Sequence, residues 1–420
     1  MPWRASQETT HAAAMKKRLM ASRVNEIAGF APCESHGLNV GANIVRILAG
    51  AWRGSAAPLD LTVRELNEAV PLLLGTGAGS LGWRRVARLP VSSSAAAFKL
   101  RQAYRHHTLQ AAIHEDQLQR LLVRLRKARV EPILCKGWSM ARLYAEPGLR
   151  PYGDHDLCVT AAETAPAMEV LNEAGGRCGQ VDLHQCVPDL RDRRWTEIRA
   201  RCQEVLLGEV PVRVLGPEDN LRLLCVHFWR HGAMRPLWLC DVAVCLESLP
   251  DHFDWDYCLH GSAACADWIR CVVSLAKNLL GARCAGPACP LALHDIPGWL
   301  VPAVLWRWCF GIDLPPFTNH LRQPARLPLA IFNRWFNPIR SSYRCLRPAV
   351  MADRPGNTLE AFRTGGSAHG QMPRTATPCA RGLRHSSRSG HGIKITTPNK
   401  RGSATGQPLR RKTPGKPRNH

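Results

Sequence analysis

The sequence lacks the cysteine patterns that define metal-binding modules. Its 17 cysteines include no C-x-x-C pair, and no paired Cys/His ligand spacing of the zinc-ribbon kind occurs. Zinc ribbons are therefore excluded. We expect the cysteines to be buried free thiols in a reducing compartment.

Long hydrophobic runs are absent as well. No stretch of the sequence reaches the roughly 18 uncharged apolar residues that a membrane-spanning helix needs. The basic residues Lys16, Lys17 and Arg18 have no long apolar run behind them, as a secretory signal would require. We therefore expect a soluble, cytoplasmic protein with no membrane span.

Acidic residues are missing from the end of the chain. None follows Glu360, whereas Arg and Lys recur to the end, and the net charge is +23. Such a basic balance suits polyanionic partners. Residues 365–420 also carry few large apolar side chains, so disorder is predicted there. Nucleic acid is a possible partner of this tail, but it is not favoured, because aromatic residues for base stacking are not interleaved with the basic ones.

The pattern of the chain predicts an α+β protein in five parts. A loose leader (1–41) precedes a helical lead region (42–124), a small mixed β-sheet (125–215), a helical domain (216–355) and a disordered basic tail (356–420). Strands are expected at Pro132–Cys135, Asp154–Val159, Gln180–Val187, Glu204–Leu207 and Val210–Val214, the last two as a hairpin. Helices are expected at 42–53, 62–74, 97–128, Trp138–Tyr144 and Ala162–Ala174.

Three acidic residues of the sheet region are predicted to share one face. Asp154 and Asp156 are two apart on a strand, so their side chains project from the same side. Asp182 lies between Val181 and Leu183, which face the core, so its side chain faces the same open side. Carboxylates converging in this way suit Mg²⁺, with Mn²⁺ as a possible substitute. Such a set can hold two ions and support in-line displacement at a phosphorus atom.

These residues carry a resemblance to a known family. The chain resembles a bacterial family called uncharacterised nucleotidyltransferase, a branch of the DNA polymerase beta-like superfamily, over roughly residues 45 to 355. The matching motifs in the sheet region are Leu134-Cys135-Lys136-Gly137, Arg150-Pro151-Tyr152-Gly153-Asp154-His155-Asp156-Leu157 and Val181-Asp182-Leu183-His184. In the helical region they are Pro217-Glu218-Asp219-Asn220-Leu221, His227, His231, Leu239-Cys240-Asp241-Val242-Ala243 and Asp254-Trp255-Asp256.

The resemblance implies a nucleotidyltransferase fold and roles for its residues. It places Gly137 and Ser139 at the turn that grips a triphosphate. It assigns metal binding and catalysis to three acids, Asp154, Asp156 and Asp182. Lys136 and Arg150 are candidates for contact with phosphate oxygens, although a solvated surface charge is the other interpretation of both. The implied activity is transfer of a nucleoside monophosphate from a nucleoside triphosphate to an unknown hydroxyl-type acceptor, either a small molecule or a peptide.

Two positions depart from the superfamily pattern. Trp138 stands where a small residue often follows the glycine, and His155 stands where an aliphatic residue normally packs into the core. These departures leave open the alternative that the chain is a catalytically inactive nucleotide-binding or scaffolding protein. His227 and His231 lie at i and i+4 on a helix without the Glu of a metalloprotease motif, so we expect packing or a contact with Asp241 rather than a zinc site.

Overall fold

The structure, a computed structural model, describes residues 33–174, 180–285, 296–309, 337–343 and 392–395. The helices are α1 (Cys33–Leu48), α2 (Val63–Gly75), α3 (Gly79–Val86), α4 (Ala95–Lys127), α5 (Gly137–Ala141), α6 (Ala161–Ala174), α7 (Trp195–Arg201), α8 (Pro217–Arg230), α9 (Pro236–Glu247), α10 (Trp255–Leu259), α11 (Ala263–Leu280) and α12 (Leu300–Cys309). The strands are β1 (Ile133–Cys135), β2 (Asp154–Cys158), β3 (Gln180–His184), β4 (Gln203–Leu207), β5 (Val210–Val214) and β6 (Gly392–Ile395). The expected α+β class is confirmed.

Local sequence signals set several helix ends. Thr62 caps α2, and its hydroxyl and Glu65 form a reciprocal capping box that satisfies two of the free amides of the first turn. Ser94 caps α4 in a similar way through the amide of Ala97. Helix α11 is capped at its C-terminus by Gly281, whose φ of +65° is a left-handed conformation that glycine adopts at the least steric cost.

The sheet is mixed, with the strand order β4-β5-β1-β2-β3-β6. Strands β4 and β5 form the predicted antiparallel hairpin, and β5 runs parallel to β1. At the centre β1 pairs with β2 antiparallel and β2 pairs with β3 in parallel. Strand β6, from the region predicted to be disordered, pairs antiparallel with β3 and was not expected as a strand. The other residues of the basic tail lie outside the described ranges.

Two hydrophobic cores meet along helix α4. The first half of this helix, which at 33 residues is about 50 Å long, packs into a helical core with Ala97 and Leu100. Its second half covers one face of the sheet with Leu121 and Leu125. The helical core joins α1, α2 and α3 to α8, α9, α11 and α12. Helices that precede the sheet in the sequence and helices that follow it therefore share one hydrophobic core.

Several element boundaries differ from the predictions. Helix α1 begins at Cys33, inside the predicted leader, and ends at Leu48, whereas a helix over 42–53 was expected, and β3 ends at His184 rather than at Val187. Helix α4 and strands β1 and β2 lie within two residues of their expected bounds, whereas helix α5 ends at Ala141 instead of continuing to Tyr144. Helix α3 was not expected, because its sequence is short and contains two glycines. None of the described helices is both long and apolar enough to cross a membrane. The described cysteines are free thiols, but only some of them are buried, as Cys225 and Cys240 are, whereas others, such as Cys186 and Cys202, are partly exposed.

Candidate functional site

The chain makes a tight turn between β1 and α5. Lys136 has a φ of +49° and a ψ of −144°, and Gly137 has a φ of +41°. A Cβ atom at Gly137 would lie 3.0 Å from the carbonyl oxygen of Asp154, so the turn rests directly on the start of β2. The hydroxyl of Ser139 donates a 2.7 Å hydrogen bond to the carbonyl of Lys136 and closes the turn. The sequence therefore needs glycine here for both backbone conformation and space.

The pairing of β2 with β3 brings two of the predicted acids together. Asp156 lies directly opposite Asp182 in the parallel register, and each is about nine-tenths buried. Because residues paired across neighbouring strands of a pleated sheet point to the same side, both project from the same face of the sheet. Asp154 lies two residues earlier on that face, opposite Gln180. Burial, followed by the negative charges of Asp156 and Asp182, raises the pKa of Asp154.

Lys136 and His184 both contact Asp156. Nζ of Lys136 lies 3.4 Å from Oδ1 of Asp156, and Nε2 of His184 lies 3.1 Å from the same oxygen. Burial acts to raise the pKa of Asp156, but the His184 hydrogen bond and the Lys136 charge outweigh it and lower that pKa. Burial also opposes the charge on Lys136, and here Asp156 and Asp189 outweigh it and raise the pKa of the ammonium group.

Three side chains around Asp156 each place one possible metal-ligand atom within a small volume. Atoms of Asp156, Asp182 and His184 are all within 4.8 Å of one another. Their donors are two carboxylate oxygens and one imidazole nitrogen. The sequence-predicted triad is thus brought together in part: Asp156 and Asp182 belong to this set, and Asp154 stands beside it.

Helix α8 and the segment after β3 add further charged groups near Lys136. Asp189 is 7% exposed; its Oδ1 lies 2.7 Å from Nη1 of Arg230 and its Oδ2 lies 3.5 Å from Nδ1 of His227. Burial acts to raise the pKa of Asp189, but His227, Arg230 and Lys136 together lower it well below its ordinary range. Asp189 thus remains charged, and Lys136 lies in the field of two carboxylates, Asp156 and Asp189.

His227 of α8 and His231, which directly follows that helix, pack as expected. The rings of His227 and His231 are 4.4 Å apart, and each lies within 5.2 Å of the Trp238 ring. Burial lowers the pKa of both, that of His231 to about 3. The charged partner of His227 is Asp189 and not Asp241, which the sequence had suggested.

Arg150, a predicted phosphate ligand, is engaged inside the protein. Its Nη2 lies 2.9 Å from Oδ2 of Asp241, and its Nη1 lies 3.5 Å from the carbonyl oxygen of Gly137. Tyr144 donates a 2.8 Å hydrogen bond to the other carboxylate oxygen of Asp241. Arg150 is 8% exposed, so the interpretation as a solvated surface charge does not hold. Its contact with phosphate stays a prediction.

The two departures from the superfamily pattern are accommodated in the interior. Trp138 packs in the sheet core, and its indole nitrogen donates a 3.2 Å hydrogen bond to Glu115 of α4. His155 is 2% exposed, its ring lies beside His114 and Tyr152, and burial lowers its pKa to about 4. Alternation along β2 directs His155 to the face opposite Asp154 and Asp156. Trp138 packs in one core with Leu157 and Leu183, which alternation directs to that opposite face, so neither residue occupies the face that carries the acids.

The sequence did not predict a role for three charged or polar residues that surround the acids and Lys136, namely His184, Asp189 and Arg230. A signal for His184 was present, because it lies two residues after Asp182 on the same strand and so on the same face. Asp189 and Arg230 carried no local signal, since their contact joins a loop to a helix 41 residues later.

Comparison with known proteins agrees with this geometry. Residues 77–280, a little under half of the chain, match the model of a family described as uncharacterised nucleotidyltransferase. The match runs from the start of α3 to the end of α11 and includes the turn, the acids and helix α8. It supports a nucleotidyltransferase family and nucleotidyl transfer in general. No curated protein and no solved structure matches the chain.

Proposed function

We propose that the protein transfers a nucleoside monophosphate from a nucleoside triphosphate to a hydroxyl-type acceptor and releases pyrophosphate. The observation that carries the proposal is the register of β2 and β3, which sets Asp156 opposite Asp182 beside the Lys136-Gly137 turn. The family match points to the same reaction class. Membership of the DNA polymerase beta-like superfamily and a bacterial origin, which the sequence resemblance implies, are part of this proposal.

The acidic face fits a divalent cation. Asp154, Asp156 and Asp182 present oxygen donors of the kind that Mg²⁺ and Mn²⁺ prefer. Burial and the charges of its two acidic neighbours raise the pKa of Asp154. The raised pKa indicates that negative charge is concentrated at this face, and a bound cation would offset that charge. Divalent ions held by these three acids would polarise the phosphate and activate the acceptor hydroxyl, and two of them would suit in-line displacement.

The chain's own groups would position the nucleotide. Lys136 places its ammonium group, on a side chain that is 14% exposed, beside Asp156, where it can neutralise phosphate oxygens. Gly137 allows close approach of the backbone, and Ser139 holds the turn shut through the carbonyl of Lys136. Arg150, paired with Asp241, would hold the turn in place through its contact with the Gly137 carbonyl. Alternatively, it would contact the phosphates directly.

The acceptor is an unknown small molecule or peptide, and the alternative is an inactive nucleotide-binding or scaffolding protein. These two functions differ in turnover rather than in binding. Both expect triphosphate and metal to bind at the acidic face, but only the enzyme releases pyrophosphate.

The test is a pyrophosphate-release assay on the full chain with each labelled nucleoside triphosphate, in Mg²⁺ or Mn²⁺. A small-molecule extract and the protein itself serve as acceptors. We expect Asp156→Asn and Asp182→Asn to reduce release by about 10²-fold or more, the loss expected when charge stabilisation of a transition state is removed. Asp267→Asn, whose side chain is 62% exposed on α11, is the matched control and should keep full activity.

The three possible results separate the candidates. Turnover that survives Asp156→Asn contradicts the assignment of these acids. Metal-dependent nucleotide binding without pyrophosphate release, with any acceptor tried, favours the inactive alternative. If the Asp182→Asn variant binds nucleotide but releases no pyrophosphate, the result supports a role for Asp182 in activating the attacking hydroxyl.

A further inference from the structure

His184 occupies a position that the family resemblance leaves without a role. It is the last residue of β3 and lies two residues after Asp182, so its side chain projects from the face that carries the acids. The side chain is 18% exposed, and Nε2 lies 3.1 Å from Oδ1 of Asp156. The imidazole is therefore held against the acidic face and is still open to a small ion.

The distances suit one ion shared by three side chains. Donor atoms of Asp156, Asp182 and His184 lie within 4.8 Å of one another. Nitrogen and oxygen ligands about 2.1 Å from an ion lie at most about 4.2 Å apart, so a small closure of the side chains completes the set. Asp154 is outside this set and remains as an additional carboxylate at its edge.

The mixed donor set differs chemically from an all-carboxylate triad. Mg²⁺ prefers oxygen ligands only, whereas imidazole suits transition ions. Replacing one carboxylate by one imidazole lowers the negative charge that attracts Mg²⁺. It adds a nitrogen donor that Mn²⁺ and later transition ions bind more strongly than Mg²⁺ does.

We propose that His184, together with Asp156 and Asp182, directly ligates a divalent ion and biases the site towards transition ions over Mg²⁺. The inference rests on the cation site of the proposed function but not on nucleotidyl transfer. The competing explanation is that His184 only orients Asp156 through their hydrogen bond. A positioning histidine of that kind would affect Mg²⁺ and Mn²⁺ binding equally.

The experiment measures Mn²⁺ and Mg²⁺ binding to the full chain without nucleotide, by calorimetry and by competition. The nitrogen ligand is detected from the ¹⁴N modulation of the bound Mn²⁺ electron-spin echo. His184→Gln removes the donor, and His184→Asp replaces it with oxygen. His260→Gln, at an exposed residue, is the matched control. Circular dichroism and thermal melting verify that each variant is folded.

We expect the ¹⁴N signal in the wild type and in His260→Gln, and its loss in His184→Gln. The Mn²⁺ affinity of His184→Gln should fall by about 10-fold or more, while Mg²⁺ binding changes by less than about 3-fold. His184→Asp should shift the preference towards Mg²⁺. If His184→Gln fails to fold, His184→Asp provides the same loss of the nitrogen signal.

Three results would overturn the inference: no ¹⁴N signal in the wild type, a signal unchanged in the His184 variants, or an equal loss of Mn²⁺ and Mg²⁺ affinity. Absence of any ion binding would overturn both this inference and the cation site of the proposed function. Ion binding with the nitrogen signature but without turnover leaves the inference standing while the proposed function fails.

Discussion

Arg150 and Asp241 form a buried ion pair that joins the loop before β2 to helix α9. Nη2 of Arg150 lies 2.9 Å from Oδ2 of Asp241, and Asp241 is fully buried. The two residues are 91 positions apart in sequence. Since Arg150 precedes Asp154 by four residues, this pair fixes the entry to the acidic strand against the helical core.

Removing one partner of this pair should destabilise the fold strongly. We expect Asp241→Ala to lower the free energy of unfolding by about 3–5 kcal/mol, because Arg150 would remain as an uncompensated buried charge. The double variant Arg150→Met with Asp241→Leu should recover part of the loss. Urea denaturation measures both. Arg64→Met, which removes an exposed pair with Glu68, is the control and should cost less than about 1 kcal/mol. If Asp241→Ala lowers the free energy of unfolding by no more than Arg64→Met does, the prediction is contradicted.

Lys136 combines a strained backbone with a charge at the site. Its φ of +49° and ψ of −144° suit glycine rather than a residue with a side chain. Lys136→Gly should therefore be more stable than Lys136→Ala by roughly 1–3 kcal/mol in urea denaturation. Both variants should lose triphosphate affinity to the same extent, because both lack the ammonium group. Equal stability of the two variants would show that no strain is stored here, and unchanged nucleotide binding would remove Lys136 from the site.

Gly137 is predicted to tolerate no side chain. At a φ of +41°, a Cβ would stand 3.0 Å from the backbone oxygen of Asp154. We expect Gly137→Ala to lower the free energy of unfolding by about 1–3 kcal/mol and to weaken nucleotide binding by displacing the start of β2. Gly75→Ala, at the end of α2 with open space around the added methyl, should be neutral or stabilising. A Gly137→Ala variant as stable and as tight-binding as Gly75→Ala would contradict the proposed turn.

Asp219 should make stability depend on pH. Burial raises its pKa from 3.8 to about 6, although Arg193 at 3.5 Å and the Tyr257 hydroxyl at 3.3 Å act in the opposite direction. Between pH 4 and 6 the folded state therefore holds a proton that the unfolded state releases. The free energy of unfolding should fall as the pH rises through this window, by up to about 3 kcal/mol.

The variant Asp219→Asn cannot titrate, so its difference from the wild type should change across the same window. Thermal or urea unfolding at pH 4, 5, 6 and 7 measures that difference, and the shared contributions of neighbours such as Glu218 and Arg201 cancel in it. A constant difference between the two proteins from pH 4 to pH 7 would contradict the raised pKa of Asp219.

The sequence by itself determined the local parts of the fold and one face of the site. Apolar runs bounded by turns predicted β1, β2 and the β4-β5 hairpin, and alternation along a strand directed Asp154, Asp156 and Asp182 to one side. The same rule places His184 on that side, because strand parity depends only on spacing. These inferences needed no knowledge of which strands are neighbours.

Only the tertiary structure decided which of these groups meet. The register of β2 against β3 sets Asp156, rather than Asp154, opposite Asp182. Asp189 meets Arg230, and Arg150 meets Asp241, across separations that no local pattern encodes. The physical reason is that a buried charge must find its counter-charge wherever the packing of helices and sheet brings one near, and that packing is a property of the whole hydrophobic core. The two helical regions share such a core, although a sheet separates them in sequence.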